Sequence, residues 1–434
     1  MMFSNRMRQI DPAPLDDMFS FGVDPAVISL ACGNPDASLF PGEALKTAAQ
    51  DAIGEDPVAA LQYGKTNGYP PLLALIRRRL AEKQKISCGE NELLVTTGSQ
   101  QGLEMLAKIL VNDGDTVLVE EPAFIGSLNA FRSAGAKLIG VPLEADGMDL
   151  AALDRLLTEH RETKFVYTIS TSNNPTGVTM SVEKRRAFYE IIKRHRVLAA
   201  EDDPYCELRF DGRIIPPVKS FDTEGLVVYF GSFSKILAPG LRVGYVCADA
   251  AVINALSTAK QTADLQTAAL PQMMIVKYTE KNDLDAHIER LRTCYAEKCA
   301  AMLDAIDRYF PKTVTHTTPD GGLFLWCDLH DDTDTNAFVR TALTQHVAYV
   351  PGYAFMVDIT QKQSSMRFNY SALPAEKLTE GIRRLGLLLN RNVPAAISAA
   401  AADGRASTSR ISTVKKNSAR STRNMPPRSS AEMM

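Results

Sequence analysis

Between residues 92 and 247 the chain alternates short apolar runs with longer stretches in which apolar positions recur every three or four residues. Glu92 to Thr96, Thr116 to Glu120, Lys137 to Val141, Lys164 to Ile169, Val197 to Ala200, Leu226 to Phe230 and Val243 to Cys247 read as seven strands. Between them, Leu103, Leu106, Ile109 and Leu110 mark one apolar helix face, and residues 124–134, the stretch DGMDLAALDRLLTEH and Val182 to His195 read as further helices. Strands alternating with helices of this length imply an α/β fold, with a mostly parallel sheet covered on both faces.

The flanks follow other patterns. Residues 1 to 40 are rich in turn formers, including Pro12, Pro14, Gly22 and Pro25, around one short strand candidate, Val27 to Ala31, and read as an arm lying over a body. Glu43 to Ile53 has helical spacing, and Pro70-Pro71 opens a helix to about Lys83. From Val252 the chain turns helical, and Leu284 to Tyr309 reads as a long amphipathic connector. A smaller α/β unit follows: a turn at 319–322, the strand LFLWCDL, a helix over Asn336 to Gln345, strands VAYV and SMRFNYS, and a last helix over Ala375 to Leu389. Beyond Val393 large apolar residues nearly vanish, which predicts a disordered basic tail. The expected division is an arm (1–42), a large domain (43–295), a small domain (296–392) and the tail (393–434).

Composition narrows the function. Apolar residues at 45% and charged residues at 23% fit a soluble globular protein, and a net charge of -3 selects no polyanionic partner. No apolar run approaches the roughly 18 residues of a bilayer span, and the start lacks the apolar core of a signal peptide, so a cytoplasmic protein is expected. The seven cysteines include no CxxC pair and the six histidines no HExxH spacing, so neither a disulfide framework nor a metal site is expected. There is no GxxxxGK[ST] loop.

Polar clusters fall at the carboxyl ends of the expected strands, where open parallel sheets place their ligands. Gly98-Ser99-Gln100 ends a strand and starts a helix, a combination that offers backbone N–H groups to an anion. Asn173-Asn174-Pro175-Thr176-Gly177 reads equally well as a simple turn. Asp202-Asp203-Pro204-Tyr205 places consecutive acids after an apolar strand, where burial demands a cationic partner. The stretch GSFSKILAPGLRVG, Gly231 to Gly244, sets Lys235 among hydroxyls with Arg242 seven positions on, and a lysine between phosphate binders invites a covalent cofactor.

Taken in order, YGKTNGYPPL, TTGSQQGLE, VEEPAFIGS, SNNPTGV, EDDPYCELRF, GSFSKILAPGLRVGY, PDGGLFLW, YVPGYAF and MRFNYS resemble the motifs of the fold type I, class I and II aminotransferases that use pyridoxal 5'-phosphate (PLP). The resemblance runs from about Ile28 to Leu389 and is strongest to the kynurenine/2-aminoadipate aminotransferase branch. It implies that Lys235 forms the Schiff base with PLP and carries the proton between Cα and C4'. Asp202 would hold the pyridine nitrogen protonated, and Tyr205 and Asn174 would bond the cofactor's phenolic oxygen. Ser99, Gln100, Ser232, Ser234 and Arg242 would hold the phosphate, joined by Tyr63 from the partner subunit of a homodimer. Phe124 would stack on the ring, although without the family it reads as an ordinary core phenylalanine. Arg367 would bind the substrate carboxylate as a bidentate fork, with Asn174 and Gly33 beside the substrate. Cys32 departs from the small residue many relatives carry next to that glycine.

The resemblance thus implies transfer of an amino group from an aromatic, kynurenine-like or 2-aminoadipate-like amino acid to 2-oxoglutarate by a ping-pong cycle. Two alternatives share the scaffold: another PLP reaction, such as a β-lyase, decarboxylase or cyclase, and a PLP-binding regulator. The regulator is disfavoured because the family-like region begins by about residue 28, leaving no room for a DNA-binding module. No specific nucleic acid and no membrane partner are expected.

Overall fold

The computed structural model describes residues 4, 6–10 and 24–406. Its strands in chain order are β1 (Ile28–Ser29), β2 (Leu93–Thr96), β3 (Thr116–Glu121), β4 (Lys137–Glu144), β5 (Gly147–Met148), β6 (Phe165–Thr168), β7 (Leu198–Asp202), β8 (Val227–Ser232) and β9 (Gly244–Cys247). They continue with β10 (Thr315–His316), β11 (Phe324–Asp328), β12 (Val347–Ala348), β13 (Val350–Pro351) and β14 (Ser365–Asn369). The large sheet has the order β2-β9-β8-β7-β6-β3-β4-β5.

The expected seven strands are all present, and an eighth, the two-residue β5, extends the edge as an antiparallel hairpin partner of β4. The central ladders β4-β3, β3-β6, β6-β7 and β7-β8 are parallel, while β9 runs antiparallel to both β8 and β2. Strands β6 and β8 are buried along their whole length. Burial on both faces explains their continuous apolar runs.

Two helices, Leu150–Glu159 and Val182–His195, cover one face, where Leu118, Val166, Ala199 and Val227 meet Leu153, Phe188 and Ile192. Asp149 caps the first by accepting from Ala151 N and Ala152 N, and Ser181 caps the second by accepting from Lys184 N. On the opposite face, helix Ser99–Leu110 lies so close to the sheet that a Cβ at Gly102 would sit 2.9 Å from Phe230 and Val246.

The smaller sheet, β10-β11-β14-β13, is antiparallel throughout. Both sheets belong to one compact unit, which ends at Leu388. The arm is held to the small-sheet side by the parallel pairing of β1 with β12, Ile28 opposite Val347 and Ser29 opposite Ala348. Asn369 N donates to Leu30 O at 2.8 Å, which carries the arm across β14.

Several boundaries move. Strand β7 ends at Asp202 rather than Ala200, and β8 ends at Ser232 rather than Phe230, because sheet pairing continues through those polar residues. The final helix, Ala375–Ala406, runs past Val393, where a disordered tail was expected; its alanine-rich stretch favours helix. Residues 407–434, the rest of that basic tail, and much of the arm, including Pro12, Pro14 and Gly22, lie outside the described residues.

Candidate active site

A cavity of about 330 Å³ opens at the carboxyl ends of β6, β7 and β8 and is closed by β11, β14 and the arm. Twelve of the thirteen expected site residues line it: Gly33, Ser99, Gln100, Phe124, Asn174, Asp202, Tyr205, Ser232, Ser234, Lys235, Arg242 and Arg367. Tyr63 does not; it is 79% exposed and belongs to a loop outside the cavity. The lining also includes Asn34, Ile125, Ile169, Pro204, Pro239 and Phe324. Phe324 and Ile169 read in sequence as ordinary strand residues, and only their position at strand ends could have singled them out.

The cavity carries three cationic side chains, Lys235, Arg242 and Arg367, against one carboxylate, Asp202. This balance suits a ligand set with a phosphate and a carboxylate. At one end, helix Ser99–Leu110 begins after Gly98 with no side chain capping its first turn, which leaves first-turn N–H groups to an anion. Gly98 has φ +75°, and a Cβ there would meet the Arg242 guanidinium at 2.3 Å, so the glycine makes room for the arginine. Arg242 Nη2 donates to Thr97 O at 3.3 Å, and Ser232 Oγ accepts from Ser234 N at 3.1 Å. The Gln100 side chain turns away, donating to Gly126 O at 2.7 Å, so the backbone is what Gln100 offers there.

Asp202 sits on the cavity floor, 3% exposed, with Oδ2 accepting from the Tyr167 hydroxyl at 3.2 Å. Its Oδ1 is buried and has no hydrogen-bond partner among the described residues. Burial first, then the Asp203 charge, pushes its pKa up to about 7. Asp203 faces away from the cavity, accepts from the Tyr229 hydroxyl at 3.2 Å and lies near Arg185, so it serves the scaffold. Tyr205 is buried, its pKa raised by burial and by the Asp202 charge while Arg367 and Asn174 oppose the rise.

Lys235 Nζ donates to Gly33 O at 2.7 Å. Burial of the amine, then Arg367 and Arg242, bring its pKa down to about 8, so a neutral amine is accessible near neutral pH. Phe124 precedes helix Ile125–Ser133, and a Cβ at Gly126 would lie 2.5 Å from its ring, so that glycine lets the ring pack close against the helix start. Arg367, 2% exposed and mid-strand in β14, donates from Nη1 to Asn174 Oδ1 at 2.9 Å and from Nη2 to Ala31 O at 2.5 Å. Its guanidinium carbon lies 4.3 Å from the Phe324 ring centroid and 4.8 Å from that of Phe355. Burial pulls its pKa down to about 10, and it stays charged.

Residues 25–385 match the family model "Aminotransferase class I and II". The chain belongs to this family. It is 38% identical over 363 residues to aromatic-amino-acid aminotransferase 1 of Thermococcus litoralis, covering 83% of this chain and 87% of that one. Among solved structures it is similar to a kynurenine aminotransferase of Pyrococcus horikoshii, at 34% identity and TM-score 0.86, covering 90% of this chain and 97% of that one. It is equally similar in sequence to the α-aminoadipate aminotransferase LysN of Thermus thermophilus, solved with N-(5'-phosphopyridoxyl)-L-leucine, at 34% identity and TM-score 0.84, covering 90% and 98%. The aminotransferase is therefore PLP-dependent and of fold type I. The cavity fits that cofactor on its own terms: a partnerless carboxylate oxygen on the floor, an anion cradle at one end, and an amine of depressed pKa between them. No helix among the described residues is long and apolar enough to cross a membrane.

Proposed function

We propose that this aminotransferase takes the amino group from an L-amino acid with an aromatic, kynurenine-like or 2-aminoadipate-like side chain and passes it to a 2-oxo acid such as 2-oxoglutarate, in two half-reactions at one site. The observation that carries this reading is the convergence of Lys235, Asp202 and Arg367 on a single cavity with an anion cradle at its end. The substrate classes follow from the relatives described above, which act on these compounds.

When bound, PLP supplies an electron sink and an amino-group carrier. Ser99, Gln100, Ser232, Ser234 and Arg242 would hold its phosphate, Phe124 its ring face, Asn174 and Tyr205 its phenolic oxygen, and Lys235 would hold it covalently. Asp202 Oδ1 would hold a proton at the ring nitrogen, and the resulting ion pair would draw the Asp202 pKa down from about 7. Arg367, fixed by Asn174 and Ala31 and flanked by two aromatic rings, orients the substrate carboxylate. With the carboxylate held, the substrate amino group would displace Lys235 from its covalent bond to the cofactor, and the freed Nζ would take up the Cα proton and deliver it to C4'.

The assembly proposed is a homodimer in which Tyr63 completes the phosphate cradle of the other subunit. Val58, Leu61 and Tyr63 are the most exposed large apolar side chains among those described, at 70%, 71% and 79%, and they cluster on one short segment. The direct test of function is a panel of amino donors against 2-oxoglutarate, read as glutamate formed. Turnover of aromatic, kynurenine or 2-aminoadipate donors is the expected result; ammonia, CO2 or a β-substituent released without an acceptor would assign another reaction to the site.

A further inference from the structure

Tyr167 is a fully buried tyrosine on β6 that does not line the cavity, yet its hydroxyl donates to Asp202 Oδ2 at 3.2 Å. The ring is clamped edge-to-face by Phe131, with centroids 5.3 Å apart, so the hydroxyl has little freedom to move. The Ser127 side chain lies beside the same hydroxyl, and Ser127 Oγ donates to Phe124 O at 2.6 Å. A chain of polar contacts therefore runs behind the cavity from the backbone of Phe124 through Ser127 and Tyr167 to Asp202.

The consequence is asymmetry in one carboxylate. Oδ2 is tied to Tyr167, while Oδ1 is buried without a partner among the described residues. A carboxylate has a roughly two-fold torsion that is soft in the absence of a partner. One fixed oxygen removes that freedom. The groups that face this pair electrostatically are Asp203 and Tyr205 toward Asp202, and Glu120 toward Tyr167. None of the three hydrogen-bonds to the Asp202 carboxylate among the described residues, which leaves Tyr167 as the side chain that ties it.

We propose that Tyr167 is a positioning residue for the reaction: its hydroxyl fixes the rotation of the Asp202 carboxylate so that Oδ1 is the oxygen presented to the ring nitrogen of the cofactor. The inference rests on the reading of Asp202 given under the proposed function. Tyr167 touches neither substrate nor cofactor and acts only through Asp202.

The test uses Tyr167→Phe, which removes one oxygen and keeps the ring, beside Asp202→Asn, in the full-length enzyme. Three quantities are read: kcat and KM, the dissociation constant of PLP, and that of an analogue in which carbon replaces the ring nitrogen. Loss of a hydrogen bond to a charged group is expected to lower kcat by about 10- to 100-fold with KM nearly unchanged. PLP should bind about 10-fold or more weakly, while the carbon analogue, which has no use for Asp202, should bind wild type and Tyr167→Phe alike. A Tyr167→Phe enzyme with wild-type kcat and PLP affinity overturns the inference. Equal weakening of PLP and the analogue, or a fall in melting temperature that accounts for both, shows a purely structural hydroxyl and also overturns it. If Asp202→Asn itself keeps wild-type kcat and PLP affinity, the reading of Asp202 fails instead, and that outcome is distinguishable because it does not depend on Tyr167.

Discussion

On the large-sheet side of the cavity, Tyr167, Asp202 and Ser232 stand near the ends of three neighbouring parallel strands, each locked by a continuous ladder. On the small-sheet side, Arg367 sits in the middle of β14, and its partners come from far away in the chain: Ala31 in the arm, Asn174 after β6, and the rings of Phe324 and Phe355. The first wall is built by consecutive crossovers within one sheet. The second is assembled from an arm, a loop and a separate antiparallel sheet. Such a difference suits the roles proposed: the large-sheet wall would hold the cofactor's charge in a fixed, buried place, and the second wall, built from segments outside that sheet, would bind the substrate.

The comparison breaks most sharply at Lys235. Lys235→Ala should lose about 10³-fold or more in glutamate formation, since it removes the covalent hold and the proton carrier together. Asp202→Asn, on the cofactor wall, should lower kcat by about 100- to 1000-fold and leave KM for the amino donor within a few-fold, as steady-state kinetics would show. Arg367→Lys, on the substrate wall, should do the reverse: KM for the donor rises about 10- to 100-fold, because an ammonium cannot reproduce the bidentate fork, and PLP affinity stays near wild type. If both variants shifted the same parameter, the division into two walls would be wrong.

A mixing experiment sharpens the role of Tyr63. Subunits carrying Tyr63→Ala and subunits carrying Lys235→Ala, unfolded together and refolded, should recover about a quarter of wild-type activity, because each mixed dimer contains one intact site. Recovery near zero would place both residues in the site of the same subunit.

A separate effect lies in the pH dependence of stability. In the ligand-free protein, burial raises the pKa values of Asp202, Asp203 and Glu120 to about 7. A raised carboxyl pKa means the folded state keeps its proton longer than the unfolded state. The stability from each group is fully present below about pH 4 and lost as pH rises through about 7. Asp202→Asn should flatten that fall by up to about 1.4 kcal/mol per pH unit, measured by denaturant titrations between pH 4.5 and 7. Lys235, whose pKa is lowered to about 8, acts in a different window: below about 8 its buried ammonium costs stability, and that cost fades as pH rises toward the unfolded value near 10.5.

Most of the cofactor wall was legible in the sequence, because strand ends, a helix start and clustered acids are local signals. Asp202 and Ser232 were expected just past their strands and are instead the last strand residues; apolar runs mark where burial ends, not where pairing ends. Tyr167 escaped notice altogether, since a tyrosine within an apolar strand looks like core, and only the three-dimensional neighbour one strand over gives its hydroxyl a purpose. Arg367 and Gly33 came only from resemblance to the family, for nothing local to either residue marks it as part of a site.

By itself the sequence determined the alternation of strands and helices, hence the parallel sheet, and through it the side of the sheet where ligands gather. It also determined which residues carry reactive chemistry, since an amine, a guanidinium and a carboxylate are properties of side chains. What only the tertiary structure decided is how those groups modify one another. The low pKa of Lys235 depends on burial and on Arg367, and the single presented oxygen of Asp202 depends on Tyr167. The physical reason is range: propensity and patterning act over a few residues along the chain, whereas desolvation, charge and hydrogen bonds act over a few ångströms in space, between residues that the fold alone brings together.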